Sequence, residues 1–333
     1  MDILSVLKQL NTAHGPSGDE GGVRAKIEEL ARPYADEMIT DTLGNLIVRK
    51  KGAGPWVMLT AHMDSIGFIV THIEKEGFLR VGRLGGIAPK EAAYSAVRFK
   101  NGVCGVFAPE EKADFGKLKL DECFVDIGAG SDEEARKLVQ VGDTCVYDRS
   151  IRTCGGRVMG PYLDDRLACA VLLCALEQIK EPAYNLSLVF TVQEEVGLRG
   201  ARTAAWWVDP DICVAVDVTD VDDTPGSEKN GTARLGGGAA IKVMDSSVIC
   251  HPQVVAKLEE IAKSQSIPIQ RDIMRSGGTD AGAIQNAHYG VKTGGISIPC
   301  RYVHTPAETA DLEDARACVR LAAALIQAEA PCP

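Results

Sequence analysis

Short apolar runs recur along the chain, and each closes on a histidine or an acid. "PWVMLTAH" leads to His62, "NLSLVFTVQEE" to Glu194 and Glu195, "ICVAVD" to Asp217, and "GGISIPCRYVH" to His304. A run such as "PWVMLTAH", with almost no polar alternation, reads as a strand buried on both faces. Helical patterns lie between the runs. "DDRLACAVLLCALEQIK" is apolar around most of its circumference, while "HPQVVAKLEEIAKSQ" and "LEDARACVRLAAALIQAEA" carry one apolar stripe each. Strands alternating with helices predict an α/β fold with a mostly parallel sheet and helices on both faces.

The rhythm is interrupted once. Beyond Gly67, six β-like pieces ("GFIVTHI", "GFLRVGRL", "SAVRFK", "GVCGVFA", "CFVDIG", "DTCVYD") alternate with Gly-rich and charged turns, and "SDEEARKLVQ" is the one helical candidate. That texture predicts a small β-rich unit. The expected organisation is a discontinuous α/β domain, residues 1–66 and 155–333, interrupted by a β-rich insertion at 67–154. Upstream, "ILSVLKQL" and "GGVRAKIEELARPY" read as helices separated by the turn "HGPSGDE".

Composition excludes several partners. The chain has 36 basic and 46 acidic side chains, a net charge of −10, and no basic cluster. That balance argues against nucleic acid or an anionic membrane surface. No apolar run approaches the roughly 20 residues that span a bilayer, and the start lacks the features of a signal peptide. The eleven cysteines are scattered, never as C-x-x-C, and often sit inside apolar patterns. They read as free thiols in a reducing cytoplasm.

In open α/β sheets, functional side chains gather at the carboxyl ends of the strands. His62, with Asp64 two residues on along an extended chain, Asp164–Asp165, Glu194–Glu195, Asp217 and His304 would therefore meet at one rim. No matching set of Lys or Arg accompanies them. Buried carboxylates without partners are costly, and divalent cations would neutralise them. Mixed His and carboxylate donors without Cys suit Zn²⁺, Co²⁺ or Mn²⁺. Five candidate ligands exceed the needs of one tetrahedral zinc; they suit two ions about 3.5–4 Å apart that activate water. One of the paired glutamates could then bind metal while its neighbour acts as general base. Each residue alone has a plainer reading. His62 fits a hydrogen-bonded structural histidine, Asp164–Asp165 a helix N-cap pair, and His304 a simple turn.

Together, "LTAHMDSIGF", "RVGRLGGI", "GPYLDDRLACAVLL", "TVQEEVGLRGA", "VAVDVTD", "SGGTDAGAIQ" and "RYVHTPAE" resemble the M42 family of dinuclear metalloaminopeptidases across essentially the whole chain. The resemblance implies that Asp164 bridges two metals, one completed by His62 and Asp217, the other by Glu195 and His304. Glu194 would be the general base and Asp64 would support His62. A bent, cis-capable link would join Asp164 to Asp165. The catalytic domain would be zinc-peptidase-like, and the insertion a PDZ-like dimerisation domain. Dimers would build a tetrahedral dodecamer that admits short peptides. The sequence departs from the family at Asp220, where a histidine often stands. "RSGGTDAGAIQ" places Asp280 and Gly278 as candidate substrate contacts, with a tight turn into a helix as the alternative. A deacylase on modified amino acids and a non-catalytic assembly protein are the rival functions.

Overall fold

The computed structural model describes residues 1–228 and 231–328. Eleven strands form one large sheet. At its centre, Asn185–Thr191, Trp56–His62, Ile212–Asp220 and Lys292–Arg301 run parallel, as predicted. The flanks differ from expectation. Glu37–Thr40 and Leu46–Lys50 join one side antiparallel, and Glu308–Asp311, Arg157–Gly160 and Arg152–Cys154 join the other antiparallel. Ala239–Met244 also pairs antiparallel with Lys292–Arg301, and parallel with Ile269–Ile273. The sheet is mixed, not mostly parallel. Short hairpin turns such as that between Arg152–Cys154 and Arg157–Gly160 can only return the chain antiparallel, whereas parallel neighbours need a crossover helix.

The central strands are buried on both sides with a period of two. Val57, Leu59 and Ala61 face a core built with the helices Ile3–Thr12, Leu163–Gln178 and Leu312–Gln327. Met58 faces the opposite core, built with Arg199–Val208 and Asp280–Ile284. Leu163–Gln178 explains its all-round apolarity, since fourteen of its residues, Leu163 to Leu176, are buried. The last helix reaches Gln327; the final residues of its predicted span, Glu329 and Ala330, lie outside the described residues.

All six β-like pieces after Gly67 are strands, and they close into an antiparallel barrel. Its core stacks Phe68 on Phe107, ring centroids 4.7 Å apart, with Tyr147 edge-on to Phe68. The barrel's last strand is Thr144–Tyr147, and Arg152–Cys154 already belongs to the large sheet. Among the described residues, ten cysteines are free and eight of these are buried; Cys332 lies outside them. No helix among the described residues is long and apolar enough to cross a membrane.

Candidate metal centre

The parallel strands deliver their polar ends to one rim. His62 is the last residue of its strand, and its Nε2 lies 2.9 Å from Asp164 Oδ1 and 4.0 Å from Asp217 Oδ1. Asp164 and Asp165, joined by a cis peptide, open the long buried helix. Asp164 Oδ2 lies 3.3 Å from His304 Nε2, which is 3.1 Å from Glu195 Oε2. His62, Asp164 and Glu195 place one donor atom each within 4.8 Å of one another, as do His62, Asp165 and Asp217. The five expected ligands therefore converge, and Asp165 joins them.

The supporting contacts are dense. Asp64, fully buried, accepts from the Glu194 N–H (2.9 Å) and the Glu195 N–H (3.2 Å) and lies 3.5 Å from His62 Nδ1. Asp165 Oδ2 accepts from the His62 N–H at 3.2 Å. Glu308, absent from the sequence reading, accepts from both the Asp164 N–H and the His304 N–H, each at 3.0 Å. Two glycines of the barrel edge also reach the site. A Cβ on Gly86 would stand 2.8 Å from His304 Nδ1, and one on Gly85 would stand 3.0 Å from Glu195 Oε2. The Gly86 carbonyl lies 3.1 Å from His304 Nδ1. The "LGG" of "RLGGI" is thus a requirement for close backbone approach.

The electrostatics leave a deficit of positive charge. Burial pushes the carboxyls of Asp165, Glu194 and Asp217 well above their usual range, and mutual repulsion adds to this; Glu195 is raised by burial although His304 draws it down. Burial alone would lower both imidazoles. Asp164 and Asp64 instead carry His62 well above its usual pKa, and Asp164 and Glu195 carry His304 up to about 12. Asp164 is held low despite burial, by the hydrogen bonds from His304 and His62. Asp165 Oδ1 and Glu195 Oε1 are buried with no hydrogen-bond partner among the described residues. The neighbouring Arg166 does not help them, because its guanidinium donates to the carbonyls of Leu10, Ala13, Gly15 and Met63. Orphaned carboxylate oxygens in a His/carboxylate cage fit divalent cations.

Three other expected residues are not among the donors of this cage. Asp280 is 3% exposed, and its Oδ2 accepts from Thr60 Oγ1 (2.8 Å) and Thr191 Oγ1 (2.7 Å), so it sits among the strands. Gly278 is in close approach to Ser247, which a Cβ would meet at 3.0 Å. Asp220, at the end of its strand, is exposed and accepts from its neighbour's Val221 N–H.

The model of the M42 glutamyl aminopeptidase family matches residues 44–321. This chain belongs to the M42 peptidase family. Among M42 relatives, the lysyl aminopeptidase of Pyrococcus furiosus is 37% identical over 336 residues, covering 97% of this chain and 96% of that protein. The structure of aminopeptidase APDkam598 from Desulfurococcus kamchatkensis superposes with a TM-score of 0.93 at 38% identity, covering 98% of this chain and 94% of that one. One chain of PhTET1-12s, whose structure holds a dodecamer, superposes with a TM-score of 0.89 at 32% identity, covering 98% of this chain and 100% of that one. The M42 fold thus places this chain's His/carboxylate cage in a peptidase scaffold over nearly its full length.

Proposed function

We propose that this M42 chain is a metal-dependent aminopeptidase that removes N-terminal residues from short peptides. The observation that carries this reading is the convergence of His62, Asp164, Glu195, Asp217 and His304 around buried, unpartnered carboxylate oxygens. Asp164 would hold both of two divalent ions, Zn²⁺ or Co²⁺ with Mn²⁺ as a further option. His62 and Asp217 would complete one ion, Glu195 and His304 the other. When bound, such ions polarise a carbonyl and make water acidic enough to attack at neutral pH. Glu194, its carboxyl raised by burial, takes one proton from the attacking water as the new C–O bond forms. It then delivers that proton to the leaving amine nitrogen as the C–N bond breaks. Asp64 fixes the Glu194–Glu195 turn and the ring of His62 throughout. Asp280 and Gly278 are assigned to the substrate side of the rim, close to the peptide's amino end.

The barrel is assigned to dimerisation as a PDZ-like unit. Support comes from the exposed apolar side chains Tyr94, Val106, Phe115, Leu138 and Val141 on or beside its strands, and from the likeness to the PhTET1-12s dodecamer. A dodecameric shell would restrict substrates to short peptides. Free, mostly buried thiols fit a reducing cytoplasm.

The test compares unblocked and N-acetylated aminoacyl-nitroanilides on metal-stripped protein reloaded with Zn²⁺, Co²⁺ or Mn²⁺. Only unblocked substrates are expected to be cleaved. Glu194→Gln should lower kcat by about 10²–10⁴ while metal content stays at the wild-type level. Equal cleavage of acetylated substrates would turn the assignment to a deacylase. Undiminished turnover by Glu194→Gln would remove the general base.

A further inference from the structure

The turn Gly15–Glu20 reads in the sequence as a stop after the first helix, and the reaction above makes no use of it. In the fold it reaches both turns that carry the cage. Ser17 is buried, and its Oγ donates to Asp64 Oδ2 at 2.6 Å. That same carboxylate receives the Glu194 and Glu195 N–H groups and lies beside His62 Nδ1. Three residues on, the buried Glu20 uses Oε1 to accept from the Gly18 N–H (2.7 Å) and from the Gln193 N–H (3.2 Å). Gln193 precedes the paired glutamates and holds a left-handed φ of 54°, so its anchoring sets where the pair begins. Between them, Asp19 faces the other way. It accepts from Lys100 Nζ at 2.5 Å and from Thr144 Oγ1 at 3.3 Å, both on the barrel. A bridge between Pro16 and Ser65 and the Ser65 N–H to the Gly15 carbonyl (3.1 Å) fix the turn against the strand that ends at His62.

We infer that Ser17 is a positioning residue of the metal centre, with Glu20 as the second anchor of the same turn. The inference rests on the metallopeptidase reading. An ionised, buried carboxylate has only acceptor sites, and a hydroxyl donor at 2.6 Å is a strong charge-assisted partner. Because the turn is fastened on its far side, Ser17 cannot follow Asp64 if that side chain rotates. It therefore holds one rotamer, the one that meets both glutamate N–H groups and His62 together. Loss of the hydroxyl frees Asp64 and, through it, one imidazole and two glutamates.

The test is a titration of the metal-free protein with Co²⁺, read by its visible absorption, for wild type, Ser17→Ala and Ser17→Thr. Thermal melting of each metal-free protein and steady-state kinetics run beside it. Ser17→Ala should bind Co²⁺ about 10–100-fold more weakly, as losses of partners behind metal ligands do. It should lower kcat with KM unchanged, and its metal-free melting point should fall by no more than about 4 °C. Ser17→Thr, which keeps the hydroxyl, should restore affinity and kcat. Wild-type Co²⁺ affinity in Ser17→Ala would overturn the inference. So would a larger melting loss shared by Ser17→Thr, which would make the role one of packing. If the wild type binds no Co²⁺, the metallopeptidase reading falls with it. If the wild type binds and cleaves while Ser17→Ala is indistinguishable, only the inference falls.

Discussion

Arg166 offers the sharpest test of how the fold holds the rim together. It is 1% exposed and has no carboxylate partner among the described residues, yet it donates to Leu10 O (2.8 Å), Ala13 O (3.3 Å), Gly15 O (2.9 Å) and Met63 O (2.9 Å). Those carbonyls come from the end of the first helix, the turn before Ser17, and the residue between His62 and Asp64. In Arg166→Met the volume is largely kept and all donors are lost. The Leu10 and Gly15 carbonyls keep the Ala13 and Ser65 N–H groups at 3.1 Å; those of Ala13 and Met63 lose the donor that the guanidinium supplies. An unsatisfied buried acceptor costs about 1–3 kcal/mol; the Met63 carbonyl carries that cost in full and the half-buried Ala13 carbonyl less, about 1–5 kcal/mol together. Relief of the guanidinium's own desolvation offsets part of this, which leaves a net of about 1–4 kcal/mol. At about 2.1 cal/mol/K per residue, a chain of 333 residues loses roughly 1.4 °C per kcal/mol, so the melting point should fall by about 1–6 °C. Arg166→Lys, which keeps the charge but not the planar fork, should recover only a part. Thermal melting of the metal-free protein measures both variants. An Arg166→Met protein that melts at or above the wild-type temperature would refute the claim that these carbonyls depend on the guanidinium.

Two further outcomes follow from the same contacts. Gly86→Ala puts a Cβ 2.8 Å from His304 Nδ1, on a ring already held between Asp164 and Glu195, so metal affinity should drop about tenfold with the barrel still folded; wild-type metal content would show that the ring yields freely. His14, 2.8 Å from Thr144 Oγ1 and 3.4 Å from Asp19 Oδ2, is pulled down to about 4 by burial, with Lys100, Arg98 and Arg166 adding to the depression and Asp19 opposing it. The unfolded chain takes up this proton from about pH 6.5 and the folded one only near 4, so stability is full above 6.5 and lost as pH falls through that window. Melting curves should show a shallower acid loss in His14→Gln, and equal slopes would overturn the assignment.

The residues of the cage were legible because local patterns disclose them. An apolar run marks a buried strand, and the polar residue that ends it must sit at the sheet's rim; His62, Glu194, Glu195, Asp217 and His304 all announce themselves this way. The six barrel strands were legible for the same reason, through their turn residues and short spacing. Which way the flanking strands run was not. Glu37–Thr40, Arg152–Cys154 and Glu308–Asp311 are short, and period-two patterning is the same in parallel and antiparallel pairs. Only the assembled sheet sets their direction. The supports of the site were hidden for a related reason. Ser17 meets Asp64 across 47 positions, Glu308 meets Asp164 across 144, and Gly86 meets His304 across 218. A buried serine, glutamate or glycine leaves no periodic trace, because its partner is chosen by three-dimensional packing and not by neighbours along the chain. The sequence by itself thus determined the strand–helix order, the barrel segments and the candidate ligands; tertiary structure alone decided the strand directions at the flanks and the contacts that aim those ligands at one another.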